Sequence, residues 1–440
     1  MMVLRSLVAL VQTTFFLAVV WACLPAQYAQ VSAAPPTAAT PPAKKAAVDR
    51  AVARAKPFEP EKLLRAFRGK REDVRLKALG EMERLHLADA ALPEVLWKII
   101  EPPAKLPRVP DSILYALRLY GQIEDPQSDK RLISLLAAAD LRVVLSAIDF
   151  LAERRPPESF APLAALRGRT EYGESYALRH AVVSSVAKFN EPASVDFLIS
   201  TLGSADGQLK YVAAVALTRL TGEKFGGKSG EWQKWWQARR QGYRIVADGT
   251  AKPPAGPLPW DSVVPQFYGV PVYAKRVVFV IDRSKSMESS VDGVTRLDDA
   301  AGQLEGAVRG LPDDAYFEII AYNDTDLSFA GKLVQATPQA KSDAARFMYS
   351  LSADGRTDSF DALADALQVD QNIEAILFLS DGDPNVGRLV DRTAIVTTIT
   401  QQNKSLRAAI NTIGIDARGP SEDFLKQLAG DNFGEYGSIR

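Results

Sequence analysis

The spacing of apolar residues changes once along the chain, close to residue 273. Over 57–243, apolar residues recur at helical spacing, so that each segment presents one apolar face. Over 274–440, continuous apolar runs rich in β-branched and aromatic residues alternate with further helical segments. The pattern therefore predicts a multidomain chain, in which an all-α region is followed by an α/β region.

The helical region contains a weak internal repeat. Similar segments begin at Asp73, Asp140, Leu178 and Leu209. The last three recur at intervals of 37 and 31 residues, read from Leu141, Leu178 and Leu209. Helix pairs at this period predict an α-solenoid, because one pair alone does not bury both of its apolar faces. The region resembles HEAT-like repeats, and a compact helical bundle is the alternative. A helix over 231–240, with tryptophans on one face, is interpreted as a cap on the last repeat.

The α/β region alternates strand and helix patterns. Buried-strand patterns cover 277–281, 316–322, 374–380 and 408–415. Helical patterns cover 297–309, 341–351, 359–368, 392–402 and 423–429. This alternation predicts a doubly wound, Rossmann-like parallel sheet, although no glycine-rich dinucleotide turn follows its first strand.

The segments outside these two regions have compositions of their own. Residues 1–33 combine Arg5, an apolar run and small residues at the end, and predict a cleaved signal peptide. The alternative is an uncleaved anchor helix, which would tether the protein to a membrane. The Ala- and Pro-rich stretch 34–56 predicts a tether, and the Pro-rich stretch 244–273 predicts a linker.

Composition excludes several classes of function. Lys plus Arg and Asp plus Glu are both 53, so no net charge steers the protein toward nucleic acid. Cys23 is the single cysteine and lies in the leader. Its removal with the leader excludes disulfides, zinc–thiolate sites and cysteine nucleophiles from the mature chain. His86 and His180 lie far apart in helical patterns and are interpreted as ordinary helix residues.

Oxygen-bearing side chains follow the first predicted strand in the segment Asp282-Arg283-Ser284-Lys285-Ser286. Ligand sites in open α/β sheets lie beyond the carboxyl ends of the strands, where this loop must be. Two more loops should reach the same place, one with Thr357 before a helix and one with Asp381 after the strand 374–380. Carboxylate and hydroxyl oxygens suit Mg²⁺ or Mn²⁺.

This combination resembles the metal-ion-dependent adhesion site of von Willebrand factor A domains, and the resemblance runs from about Tyr268 to the C-terminus. It implies that Ser284 and Ser286 bind the metal directly, and that Thr357 binds directly or through water. It implies that Asp282 and Asp381 act mostly through water. A carboxylate of a partner protein, from an exposed Asp or Glu, would take the remaining metal position.

The resemblance predicts a binding protein rather than an enzyme, engaged in adhesion-type protein–protein interaction outside the cytoplasm. A metal-independent scaffold of the cell envelope is the alternative. Lys285 and Arg356 place positive charge beside the expected ion. They would either weaken metal binding by repulsion or form a rim that favours acidic ligands.

An enzyme hypothesis of another kind comes from residues 222–229, which match the P-loop pattern G-x-x-x-x-G-K-S. A nucleotide-binding P-loop requires a buried strand before it and a helix after it. The preceding residues 211–220 instead continue the helical pattern. The segment is therefore interpreted as a turn between two helices, and a P-loop nucleotidase remains a distant alternative.

Overall fold

The fold is taken from a computed structural model of the chain, which describes residues 58–86, 89–123, 126–245 and 258–439. The predicted signal peptide 1–33 and tether 34–56 lie outside the described residues, as does the part 246–257 of the predicted linker. The chain divides between Pro162 and Leu163 into two compact units. Within the described ranges, no helix has the length and apolarity needed to cross a bilayer.

The first unit is helical throughout its described part. Its helices are α1 (Pro60–Arg68), α2 (Glu72–Leu85), α3 (Leu92–Ile100), α4 (Asp111–Tyr120), α5 (Pro126–Ser134) and α6 (Leu141–Arg154). Asp140 caps α6, since its carboxylate accepts a hydrogen bond from the backbone N–H of Arg142 at 2.9 Å. The same carboxylate accepts the backbone N–H of Val109 at 2.7 Å and so fixes the turn ahead of α4.

Helix α7 (Phe160–Ala165) spans the division, and the second unit continues with helices. These are α8 (Thr170–Glu174), α9 (Tyr176–Val186), α10 (Pro192–Ser204), α11 (Gly207–Thr221) and α12 (Ser229–Arg239). The tryptophan helix α12 buries Trp232 and Trp236, and the indole N–H of Trp236 donates to Asp196 of α10 at 2.7 Å. Its apolar face is therefore covered by the neighbouring helix and leaves no exposed aromatic platform.

The remaining residues of the second unit form the sheet domain. Its strands are β1 (Gln266–Phe267), β2 (Val270–Pro271), β3 (Arg276–Asp282), β4 (Ser290–Val291), β5 (Val294–Thr295), β6 (Tyr316–Tyr322), β7 (Asp326–Ser328), β8 (Val334–Gln335), β9 (Ala375–Ser380), β10 (Ala409–Ile415) and β11 (Tyr436–Ile439). Its helices are α13 (Arg296–Gly310), α14 (Pro338–Tyr349), α15 (Ser359–Ala366), α16 (Arg392–Asn403) and α17 (Pro420–Asp431).

The main sheet has the strand order β11-β10-β9-β3-β6-β7, and β8 also pairs with β6. Strands β11, β10, β9, β3 and β6 are parallel to their neighbours, whereas β7 and β8 are antiparallel to β6. Alternate residues of β3 point to opposite faces, with Phe279 in the core beneath α13 and α14 and Val280 in the core beneath α15, α16 and α17. The predicted doubly wound α/β fold, preceded by helices, is confirmed.

The hairpin formed by β1 and β2 lies in the segment predicted as a linker. Phe267 is fully buried, and its ring meets that of Phe279 edge-on at 5.7 Å between centroids. Val270 and Val272 join the same core. Proline-rich composition alone predicted a spacer, but these three apolar side chains are close enough in sequence to pack together beneath the sheet. The compact sheet domain thus includes residues upstream of 274.

The division of the chain also lies elsewhere than the linker, because helices α8 to α12 belong to the same unit as the sheet. Three hydrogen bonds join these helices to residues that precede β9 and β11: Tyr176 N to Asn372 Oδ1 at 2.8 Å, Gln208 N to Glu374 Oε2 at 3.0 Å, and Tyr211 OH to Glu435 Oε1 at 2.6 Å. The helices therefore contact the edge where the parallel strands begin, which lies opposite the carboxyl edge.

The P-loop-like segment 222–229 follows helix α11 rather than a strand. Gly222 ends that helix in the left-handed conformation, with φ of 79°. At Gly226, the backbone carbonyl accepts the indole N–H of Trp232 at 2.9 Å. The segment is thus a turn between α11 and α12, as interpreted from the sequence, and the strand that a phosphate-binding loop requires is absent from this position.

Candidate metal site

The candidate residues lie on three loops at the carboxyl edge of the sheet. Asp282 is the last residue of β3, and Asp381 directly follows β9. These two strands are adjacent and parallel, with Ile281 opposite Leu379. Their loops must therefore meet, which is the physical reason for expecting a shared site here.

A continuous chain of hydrogen bonds joins four of the five candidate residues. The backbone N–H of Ser284 donates to Asp282 Oδ1 at 2.8 Å. The hydroxyl oxygens of Ser284 and Ser286 are 3.1 Å apart, and Ser286 Oγ donates to Asp381 Oδ1 at 2.7 Å. Asp282 and Ser284 are buried, whereas Ser286 is exposed. The chain thus begins in the interior of the sheet and reaches the surface at Ser286.

Asp282 is fully buried at the inner end of this chain. Its second oxygen, Oδ2, accepts hydrogen bonds from Ser380 Oγ at 3.0 Å and Tyr322 OH at 3.2 Å. Burial raises the pKa of Asp282 to about 6, Ser284 opposes this rise by hydrogen bonding, and the charge of Asp381 adds to it. A carboxylate whose charge is disfavoured in this way is stabilised by any cation that binds beside it.

Thr357 is the fifth candidate, and the structure places it beside the loop that carries Asp381. Its backbone N–H donates to Asn385 Oδ1 at 3.0 Å, and Asn385 N donates to the Thr357 carbonyl at 3.0 Å. A Cβ on Gly382 would lie 4.0 Å from Thr357 Oγ1. Within the described residues, no hydrogen bond joins the Thr357 hydroxyl to the other four candidates. Asn385 was missed, because nothing in its local sequence indicates this contact.

Arg283 is a second residue that the sequence did not indicate as part of the site. Its guanidinium is 7% exposed and donates to Asp354 Oδ1 at 2.8 Å and to Asn323 Oδ1 at 2.9 Å. The Arg283 carbonyl accepts the backbone N–H of Asp354 at 2.9 Å, and Lys285 N donates to the carbonyl of Gly355 at 3.2 Å. Arg283 therefore holds the loop before Thr357 against the loop of Ser284 and Ser286.

Gly355 allows this close approach of loops. Its φ is 71°, and a Cβ at this position would lie 2.5 Å from Asp324 Oδ2 and 2.8 Å from Asn323 Nδ2. The next residue, Arg356, is paired with Asp324 through its side chain at 2.9 Å. Lys285 is exposed, and no described carboxylate pairs with it. Of the two cations predicted beside the ion, Arg356 is thus compensated by Asp324.

The donor set fits a small divalent cation. Across the described residues, no three His, Cys, Asp or Glu side chains have a metal-binding arrangement, so a site at this edge depends on hydroxyl oxygens as well as carboxylates. Neighbouring ligands of octahedral Mg²⁺ lie about 3 Å apart when each bond is about 2.1 Å long. The separation of 3.1 Å between the Ser284 and Ser286 hydroxyls matches that spacing.

Residues 275–437 match the sequence profile of the von Willebrand factor type A domain. They form a von Willebrand factor type A domain. The matched range contains the parallel strands β3, β6, β9 and β10 and the candidate loops at their carboxyl edge. It leaves out the helices α8 to α12, although these belong to the same compact unit.

Similar proteins share this part of the chain. Inter-alpha-trypsin inhibitor heavy chain H6 of Homo sapiens is 30% identical over 182 residues, which cover 38% of this chain and 13% of that protein. Heavy chain H3 of Bos taurus is 28% identical over 130 residues, which cover 27% of this chain and 14% of that protein. The chain thus spans only about one seventh of the length of these relatives.

Solved structures with similarity include von Willebrand factor type A from Catenulispora acidiphila, which is 22% identical with a TM-score of 0.32 and covers 39% of this chain and 40% of that chain. BatB from Bacteroides thetaiotaomicron is 16% identical with a TM-score of 0.30, and covers 37% of this chain and 89% of that chain.

Replacing Arg283 tests its role in holding the loops together. We expect Arg283→Leu to lower the free energy of unfolding by about 2 kcal/mol, because the buried amide of Asn323 and the carboxylate of Asp354 lose their charged donor. The exposed pair of Arg356 and Asp324 is the control, and Arg356→Leu should cost less than about 1 kcal/mol. Urea unfolding followed by tryptophan fluorescence measures both, and equal losses would contradict the assigned role.

Proposed function

We propose that the von Willebrand factor type A domain binds Mg²⁺ or Mn²⁺ through Asp282, Ser284, Ser286, Thr357 and Asp381. The observation that carries this proposal is the hydrogen-bonded chain from buried Asp282 through Ser284 and Ser286 to Asp381, which reaches the surface at Ser286. A metal held mainly by neutral hydroxyls keeps much of its positive charge. It therefore favours an additional anionic oxygen ligand.

The proposed ligand is a carboxylate from an Asp or Glu of a partner protein. In this proposal the chain is a binding protein rather than an enzyme, and it acts in protein–protein interaction outside the cytoplasm. The leader-like residues 1–33 support the location. The exposure of Ser286 at the ligand-binding edge of the sheet supports the use of a partner group, because a protein side chain can reach it from outside.

The site is tested by titrating Mn²⁺ and Mg²⁺ into the full chain and into the double variant Ser284→Ala/Ser286→Ala. We expect the double variant to bind at least about tenfold more weakly, because two hydroxyl ligands are lost. Calorimetry measures both ions, and electron paramagnetic resonance measures free Mn²⁺. Ser289→Ala/Ser290→Ala is the matched control, since these neighbouring serines are exposed and make no described side-chain hydrogen bond.

Three outcomes separate the hypotheses. Binding that is lost in the Ser284/Ser286 variant and kept in the control supports the metal site. Equal binding by all three proteins would place the metal elsewhere. A folded wild-type protein that binds neither ion, even with a glutamate-containing peptide present, would favour a metal-independent scaffold.

A further inference from the structure

The Asp381 carboxylate has a second partner that belongs to none of the three candidate metal loops. Arg296, the first residue of α13, donates from Nη1 to Asp381 Oδ2 at 2.7 Å. Its other nitrogen, Nη2, donates to Asp416 Oδ2 at 2.5 Å. The Asp381 side chain has no exposed surface and the Arg296 side chain is 20% exposed. Asp381 is thus held between a hydroxyl proposed to bind metal and a guanidinium.

The position of Arg296 is fixed by the chain immediately after the metal loop. The hairpin of β4 and β5 turns at Asp292 and Gly293, whose φ values are 52° and 84°. The end of this hairpin is held by a hydrogen bond in which Arg296 N donates to the carbonyl of Ser289 at 2.9 Å. The backbone at Arg296 is therefore held by local structure, and its guanidinium contacts Asp381 and Asp416 from this position.

The charges around Asp381 determine how this arrangement changes the affinity for a divalent ion. Asp282, Asp381 and Asp416 contribute three negative charges when ionised, and Arg296 removes one of them. A cation at the Ser284 and Ser286 hydroxyls would meet Oδ1 of the Asp381 carboxylate, while the guanidinium contacts its Oδ2. Both cations attract the same carboxylate and repel each other, so Arg296 lowers the affinity for the metal.

We propose that Arg296 makes metal retention depend on the partner: it satisfies Asp381 in the free domain and keeps the affinity for Mg²⁺ or Mn²⁺ low until a partner carboxylate adds negative charge. The inference rests on the proposed function of the same site. By linkage, the metal and the carboxylate each raise the affinity for the other by the same factor. The free domain would then exchange its metal readily, and the complex with a partner would hold it.

The test compares full-length wild type with Arg296→Gln, Arg296→Lys and Arg309→Gln. Glutamine can still donate a hydrogen bond to Asp381 but carries no charge, whereas lysine keeps the charge. Arg309 lies in the last turn of the same helix and pairs with Glu305, at a side chain that is 69% exposed, so it is the matched control. Mn²⁺ affinity is measured by electron paramagnetic resonance, with and without a short peptide that contains one glutamate.

Without peptide, we expect Arg296→Gln to bind Mn²⁺ about tenfold more tightly than wild type does. The peptide should increase the Mn²⁺ affinity of Arg296→Gln by a smaller factor than it increases that of wild type. Arg296→Lys and Arg309→Gln should resemble wild type. Thermal unfolding gives a second readout, because saturating Mn²⁺ should raise the Tm of Arg296→Gln by more than that of wild type. A purely structural role of Arg296 would lower the Tm without increasing the response to metal.

Failure of this inference is distinguishable from failure of the proposed function. If wild type binds Mn²⁺ and Arg296→Gln binds it equally or more weakly, the role of Arg296 is overturned and the metal site stands. If neither protein binds Mn²⁺ in the presence of the peptide, the metal site itself is overturned.

Discussion

Glu374→Ala is expected to lower the free energy of unfolding of the second unit by about 3 kcal/mol. Glu374 is only 7% exposed, and its Oε2 accepts the backbone N–H groups of Gln208 and Lys275, both at 3.0 Å. Gln208 is the second residue of helix α11 and Lys275 precedes β3, so one carboxylate joins the helices to the sheet. Alanine leaves the buried N–H of Gln208 and the partly buried N–H of Lys275 without their acceptor, which costs more than a lost surface contact.

Glu374→Gln is the control, because its amide oxygen can accept the same two N–H groups. Burial raises the pKa of Glu374, and the hydrogen bonds from Gln208 and Lys275 only partly oppose that rise. The charge is thus a cost in the folded state, and the neutral glutamine should lose less than about 1 kcal/mol relative to wild type.

Urea unfolding followed by tryptophan fluorescence measures both variants. Four of the six tryptophans, Trp232, Trp235, Trp236 and Trp260, belong to the second unit, so the signal reports mainly on that unit. Equal losses for alanine and glutamine would show that the charge matters rather than the acceptor. A loss below about 1 kcal/mol for alanine would show that the two N–H groups find other partners.

The hydrogen bonds of Glu374 are an example of contacts that sequence patterns do not predict. The apolar run that ends at Ser380 predicts the strand β9, because burial on both faces of a parallel sheet selects continuous apolar residues. Nothing in that run indicates that the residue before it accepts hydrogen bonds from a helix 166 positions away in sequence. The proline-rich stretch between helices and sheet therefore suggested a domain boundary, whereas the structure places helices α8 to α12 in the same compact unit as the sheet.

Part of the candidate metal site could likewise be predicted from the sequence, and part of it could not. Asp282, Ser284 and Ser286 occur in one short segment after a predicted strand, and the topology of parallel strands requires Asp381 to meet them. Arg283 and Arg296 were not identified, although the sequence shows both. Their roles depend on which carboxylates of other loops lie within reach, and an arginine side chain more often faces solvent.

Acidification should destabilise the second unit through His180. This side chain of α9 is 3% exposed, and its ring meets Phe433 edge-on at 4.7 Å between centroids. Among the described residues, its Nδ1 has no hydrogen-bond partner. Burial lowers the pKa of His180 to about 3, and the nearby positive charge of Arg407 acts in the same direction. The folded state therefore excludes a proton that the unfolded chain accepts near pH 6.5.

The difference between the folded and unfolded pKa values of His180 sets the direction in which stability changes with pH. Between pH 6.5 and the folded pKa of about 3, the unfolded chain binds more protons at His180 than the folded chain does, so stability falls as the pH falls. From pH 7 to pH 4.5 the loss should reach about 3 kcal/mol, since each pH unit below 6.5 contributes about 1.4 kcal/mol. Above pH 7 the contribution of His180 to pH dependence disappears.

His180→Leu should abolish this part of the pH dependence, because leucine fills a similar volume among Tyr176 and Phe433 and binds no proton. Urea unfolding of wild type and variant at pH 7, 6, 5 and 4.5 gives the difference between the two proteins, in which the other titrating groups cancel. His86→Leu is the control, since His86 is half-buried and lies in the first unit. Parallel curves for wild type and His180→Leu would mean that His180 accepts its proton within the folded state, with its ring rotated toward solvent or another acceptor.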